Sequence, residues 1–151
     1  MSTAEALAAI NKTITVDASV ETAFETFTRR MAAWWPTGSH RIFDDSTVVF
    51  EERAGGRVYE RTGTGEEGDW ADVLVWEPPH RLVFTWHPGR GEETSQEVEI
   101  RFTQEGDGTR IDLEHRGWER LVERAEEMIR GYQTGWDYVL GECYAGATKA
   151  A

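Results

Sequence analysis

The chain has one cysteine, Cys143, in 151 residues. A single thiol excludes an intrachain disulfide and any cysteine-rich metal cluster. Basic residues are outnumbered, 16 against 28 acidic, for a formal net charge of -12. An acidic chain repels phosphate backbones and anionic lipid surfaces, so nucleic acid and membrane are poor partners. No apolar run approaches the ~20 residues that span a bilayer, and the start "MSTAEALAAINK" lacks the features of a secretory signal. A cytoplasmic setting follows as the expectation. His40, His80, His87 and His115 are scattered with no His-x-x-x-His spacing, so no metal site is expected. There is no Gly-x-Ser-x-Gly elbow and no phosphate-binding glycine loop, and no cofactor is implied. Adjacent carboxylates at Glu51-Glu52 alternate across a strand and cannot form a dyad.

Aromatic residues, by contrast, are abundant at 11% of the chain, with seven tryptophans. That load beside 29% charged residues indicates one folded domain over residues 1–151, with its ordered core at about 12–147. "NKTITV" alternates and predicts a strand at 12–17. Ser19 is a helix cap, and Val20, Phe24, Phe27 and Met31 form one helical stripe. A break near Arg29-Arg30 divides this stretch into two short helices. Pro36 ends it after Trp34-Trp35, and residues 36–46 form a loop that could act as a lid. Six strand signals follow, at 47–52, 57–62, 69–77, 81–87, 95–104 and 109–116. Turn chemistry separates them: Gly55-Gly56, Gly63 to Gly68, Pro78-Pro79, Gly89 to Gly91 and Asp107-Gly108. Leu121 to Ile129 predicts a short amphipathic helix. Tyr132, Trp136, Val139 and Cys143 predict a C-terminal helix from about Tyr132 to Ala147, bounded by Gly131. Gly135 and Gly141 within it lower helix propensity by roughly 1 kcal/mol each unless another backbone approaches there.

This order predicts an α+β fold: a curved, seven-stranded antiparallel sheet gripping a long C-terminal helix, with two short helices between strands 1 and 2. Alternation puts Leu82, Phe84 and Trp86 on one face, as it does Val98, Ile100 and Phe102, and Ile111, Leu113 and His115. For "DWADVLVWE", alternation groups Trp70, Asp72, Leu74 and Trp76 against Val73 and Val75 without choosing the inner set. The candidate lining of a pocket under the helix is Trp34, Trp35, Tyr59, Trp70, Phe84, Trp86, His115, Trp118 and Trp136. Core packing is the competing role for each tryptophan. His115 continues an apolar face, so it is either a satisfied core histidine or the candidate base of a catalytic site. Tyr59 and Asp72 could add a hydroxyl and a carboxylate. Cys143 falls on the apolar stripe and is expected in the core.

"GGRVYERTGTGEEGDWADVLVWEPPHRLVFTWHPG" resembles the central signature of the heat-shock-protein-90 ATPase activator homologue family. That family lies within the START-like (SRPBCC) helix-grip superfamily. The matching features are Gly55-Gly56, the acidic turn Glu66 to Gly68, Glu77-Pro78-Pro79, and Leu82 to Trp86. "EVEIRFTQEGDGTRIDLEHRGW", "MAAWWP" and "GYQTGWDYVL" resemble the flanking hairpin and helices. The likeness runs over about residues 12–147 and implies the helix-grip fold. It also implies binding of a hydrophobic or aromatic small molecule between sheet and helix. An enzyme of the polyketide cyclase type, with a cavity histidine, is the alternative. The co-chaperone members carry a large additional N-terminal domain without counterpart in these residues, so a chaperone partner is a lesser alternative. Edge strands and exposed aromatics leave room for a homodimer.

Overall fold

A computed structural model describes residues 9–35, 46–86, 96–118 and 125–150. Strand β1 (Ile10–Val16) leads into helix α1 (Val20–Phe27) and helix α2 (Met31–Trp34). Strands β2 (Ser46–Phe50), β3 (Arg57–Thr62), β4 (Glu67–Glu77), β5 (Arg81–Trp86), β6 (Gln96–Glu105) and β7 (Gly108–Arg116) follow. The sheet has seven strands in the order β1-β7-β6-β5-β4-β3-β2, and every neighbouring pair is antiparallel. The expected α+β helix-grip architecture is therefore the observed one. Of the loop predicted at 36–46, Ser46 instead opens β2, and its residues 36–45, the Gly89–Gly91 turn and Leu121-Val122 lie outside the described residues.

Local chemistry explains the first elements. The Ser19 hydroxyl accepts from the Thr22 N–H at 3.2 Å and caps α1. Val20, Ala23, Phe24 and Phe27 are buried along one face of that helix. The break falls at Thr28 to Arg30, where Thr28 turns its hydroxyl back onto the Phe24 carbonyl. Gly108 opens β7 where a Cβ would collide with the Val16 carbonyl oxygen, so β1 and β7 close only around glycine.

The C-terminal helix differs from its sequence reading. Helix α3 (Ala125–Tyr138) passes straight through Gly131, continues as a π-helical segment, Val139–Tyr144, and ends in helix α4 (Ala145–Ala150). Gly131 is thus interior to one long helix, because the tertiary packing of Ile129, Trp136, Val139 and Leu140 outweighs its poor propensity. No backbone approaches Gly135 or Gly141; nothing lies within 4 Å of a Cβ built at either. The π segment moves the buried stripe. Val139 and Tyr144, five residues apart, are both buried, and Cys143 is only partly so. Tyr144 fixes the helix to α1 through a 2.7 Å bond from its hydroxyl to the Ala23 carbonyl.

The core lies between the concave face of the sheet and the helices. Leu82, Phe84, Trp86, Val98, Ile100, Phe102, Ile111, Leu113 and His115 are all at most 3% exposed, as the alternation predicts. Strand β4 breaks the alternation twice. Its register shifts against β3 between Val58 and Tyr59, passing over Trp70, and against β5 between Val73 and Val75. Trp70, Ala71, Val73 and Trp76 consequently join the core, while Leu74 is 46% exposed. Neither of the two faces that strict alternation proposes for β4 is the real one.

Candidate functional site

The two adjacent tryptophans resolve first. Helix α2 ends at Trp34, and Trp35 takes an extended backbone, φ -63° and ψ 132°. That change of geometry frees both rings to enter the interior, each 7% exposed. Trp34 donates its indole N–H to the Thr26 carbonyl at 2.6 Å and packs on Phe27 and Tyr144 at 5.4 and 5.3 Å. Trp35 turns to the sheet, 4.8 Å from Trp70 and 5.8 Å from Trp86. Trp86 in turn meets Trp70, Phe84 and Trp136, each at 5.8 Å between ring centroids. One continuous aromatic surface therefore runs from α2 across β4 and β5 to α3.

A second cluster surrounds His115. Trp118 stacks on its ring at 4.3 Å, and Tyr132 lies at 4.9 Å. Gly117, at φ +90°, turns the chain so that the Trp118 indole donates back to the His115 carbonyl at 3.0 Å. The two clusters join where the Trp86 indole donates to the Tyr132 hydroxyl at 3.2 Å.

His115 is fully buried, and both ring nitrogens are engaged. The Trp136 indole N–H donates to Nδ1 at 3.0 Å, which makes Nδ1 an acceptor. The proton then sits on Nε2 and reaches Gln96 Oε1 at 3.1 Å. Burial pushes the imidazole down to about 3. Such a histidine is neutral, fixed in one tautomer and without a nitrogen lone pair for substrate. The geometry is that of a satisfied core histidine, not of a general base.

Among the nine sequence candidates, Trp34, Trp35, Trp70, Phe84, Trp86, His115, Trp118 and Trp136 come together on the concave side. Tyr59 does not. It shares the outer face of β3 with Arg57 and Arg61, whose guanidinium carbons lie 4.1 and 5.4 Å from its ring centroid. Arg61 also donates to its hydroxyl at 2.7 Å. Tyr59 sits between Val58 and Glu60, which point inward, so period-2 alternation excludes it from the site. Asp72 pairs in register with Arg57 and alternates with buried Ala71 and Val73, so it too faces outward. Neither supplies a group to His115.

The inward residue that the sequence reading missed is Glu60. It is fully buried, with Ser46 donating to Oε1 at 2.6 Å and the Trp70 indole donating to Oε2 at 2.7 Å. A carboxylate on the same strand face as Val58 was the available signal. Gln96, two residues before Val98, is the other omission. Among the described residues no group of His, Cys, Asp or Glu could hold a metal ion. No helix among them is long and apolar enough to cross a membrane.

The outer surfaces carry different chemistry. On the convex face Glu99 is gripped by Arg81, Arg101 and Arg116 at 2.8, 2.9 and 2.6 Å. Burial raises its carboxyl, but these three guanidiniums outweigh that and pull it down to about 2. A groove of about 580 Å³ lies between α1 and the cis Pro78–Pro79 turn, floored by Phe24 and Trp76 and rimmed by Glu21, Glu25, Arg29 and Glu52.

Residues 17–142 match the family model described as "Activator of Hsp90 ATPase homolog 1-like protein". Among solved structures, an anthrahydroquino-gamma-pyrone synthase, Txn09, is 36% identical, aligned over 83% of this chain and 87% of its own, with a TM-score of 0.60. CalU16 from Micromonospora echinospora is 26% identical over 93% of this chain and 74% of its own, with a TM-score of 0.61. The self-sacrificing resistance protein CalC, from the same organism, shares the fold at a TM-score of 0.72, with 24% identity and 96% of each chain covered. No curated protein matches the sequence.

Proposed function

Because the chain belongs to the activator of Hsp90 ATPase homolog 1-like family, we propose that it binds a hydrophobic or aromatic small molecule between the concave sheet face and the C-terminal helix. The observation that carries this reading is the aromatic surface of Trp35, Trp70, Trp86 and Trp136, with ring centroids 4.8 to 5.8 Å apart along it. Four indoles present flat, polarizable faces, and an apolar ligand moved from water onto them gains about 25 cal/mol per Å² of its own buried surface before ordering costs. The indole N–H groups of Trp70, Trp86 and Trp136 have acceptors within the protein, so these three rings offer a ligand their faces. The synthase relative, named for an aromatic polycyclic product, supports the ligand class.

Native mass spectrometry with tryptophan fluorescence, run against a panel of naphthols and anthraquinones, tests the proposal. One-to-one complexes with quenched emission are expected. A panel that neither binds nor alters emission would remove the reading.

The synthase relative also favours a second reading, an enzyme acting on an aromatic substrate. His115 does not serve it as base, since both nitrogens are taken. Turnover would have to use another interior group. His115→Gln is then expected to leave the pH dependence of any turnover unchanged.

A further inference from the structure

The groove between α1 and the Pro78–Pro79 turn differs in chemistry from the interior aromatic surface. Its floor is apolar. Buried Phe24 meets the half-buried Trp76 edge to face at 5.1 Å, and Phe50 supports the Trp76 ring at 6.0 Å. Pro78 and Pro79 add two more apolar rings to the lining. The rim is charged. Glu21 and Glu25 lie one turn apart on α1, and Glu52 follows the end of β2. Arg29 holds Glu25 at 2.9 Å and Glu52 at 3.3 Å, bridging α1 to the segment after β2. Glu21 has no ion-pair partner among the described residues. Three carboxylates thus stand against one guanidinium around an aromatic floor.

This combination discriminates between ligand classes. An anion is repelled by the rim, and by a chain of net charge -12 behind it. A neutral ring finds the floor but gains nothing from the carboxylates. A metal ion finds no adequate group of ligands among the described residues, and nothing in Phe24 or Trp76 to coordinate it. A small organic cation with a flat apolar body uses both parts. Its ring covers Phe24 and Trp76, and its ammonium group lies among the carboxylates. An indole face also attracts a cation beyond what area burial gives. The groove's volume of about 580 Å³ falls within the range of small-molecule sites, about 300–1,000 Å³.

We propose that this groove is a second binding site, selective for arylalkyl ammonium ions. It does not depend on the interior being a ligand site. Trp76 supplies the readout, because it is the tryptophan of the groove and lies apart from the interior rings. The ¹⁵N-labelled intact chain is titrated at pH 7 with 1-naphthylmethylammonium and with neutral 1-naphthalenemethanol, which share one ring system. The ammonium ion is expected to shift the Trp76 indole signal saturably, about three- to thirtyfold more tightly than the alcohol. Two exposed rim residues should then act in opposite directions. Glu21→Gln removes an unpaired carboxylate and is expected to weaken the ammonium ion about two- to fivefold. Arg29→Gln removes the one rim cation and frees two carboxylates, and is expected to tighten it by a similar factor. Binding of the alcohol should stay within about twofold in both variants. Near-UV dichroism checks that each variant keeps its packing.

A Trp76 signal that ignores the ammonium ion, or follows the alcohol as tightly, would refute the proposal. So would variants that fail to move its affinity in opposite directions. A tetralysine peptide brings charge without a flat apolar body and is expected to leave Trp76 in place. Equal affinity for it at Trp76 would trace the effect to general charge attraction and overturn the site. Shifts at Trp70, Trp86 and Trp136 alone would put the cation in the interior, refuting the groove and leaving the interior reading standing.

Discussion

At the scale of single residues, the same burial that makes His115 a poor base makes it a determinant of stability. Its folded value of about 3 lies below the ordinary histidine value near 6.5. The unfolded chain therefore takes up a proton first. The stabilisation is complete above about pH 6.5 and is lost as pH falls toward 3. Urea unfolding between pH 7 and 5 is expected to show stability declining with acid by up to about 1.4 kcal/mol per pH unit from this group. His115→Gln should flatten that slope while lowering stability at pH 7, because Trp136 and Gln96 lose a matched partner. An unchanged slope in the variant would show that the titration belongs elsewhere. Glu99 acts in a lower window. Its folded value of about 2 lies below the ordinary glutamate value near 4.5, so its contribution is present above about pH 4.5 and lost as pH falls toward 2. Glu99→Gln, which leaves three guanidiniums around a neutral amide, should cost roughly 3 kcal/mol at pH 7 in the same unfolding assay.

At the scale of elements, the C-terminal helix holds poor helix formers on its outer side. Gly131 is exposed, Gly135 is half-buried, and space is open around a Cβ at each. Gly131→Ala and Gly135→Ala should each raise stability by about 0.5–1 kcal/mol, read from thermal or urea unfolding. A loss of stability at Gly135 would contradict the open space around its Cβ position. Much of this level was legible in the sequence. The strand "RVYERT" occupies residues 57–62 as read, and the Val20-Phe24-Phe27-Met31 stripe is buried as read. Periodicity sufficed there because residues 57–62 keep alternating between the two faces and the break at Thr28 to Arg30 leaves Met31 on the buried side. It failed where the register changes. In β4 two irregularities turn both Trp70 and Ala71 inward, and in the last helix the π segment exchanges Cys143 for Tyr144. Alternation from Val58 puts the Glu60 carboxylate inside and the Tyr59 ring outside. The choice between a base and a core group at His115 needed its partners, Trp136 and Gln96, which come from other elements.

At the scale of the whole molecule, the sheet curves so that its concave face and the long helix enclose the aromatic surface. The convex face is tied by ion pairs, and a separate groove flanks α1. The account places neutral aromatic ligands in the interior and not in that groove, and tryptophans report on both. Trp35, Trp70, Trp86 and Trp136 belong to the interior surface. Trp76 floors the groove, 5.1 Å from Phe24. The most direct measurement is a titration of the ¹⁵N-labelled chain with 2-naphthol, followed through its indole N–H signals in a two-dimensional correlation spectrum. The account predicts saturable shifts at Trp35, Trp70, Trp86 and Trp136 while Trp76 stays in place. Shifts confined to Trp76 would contradict it.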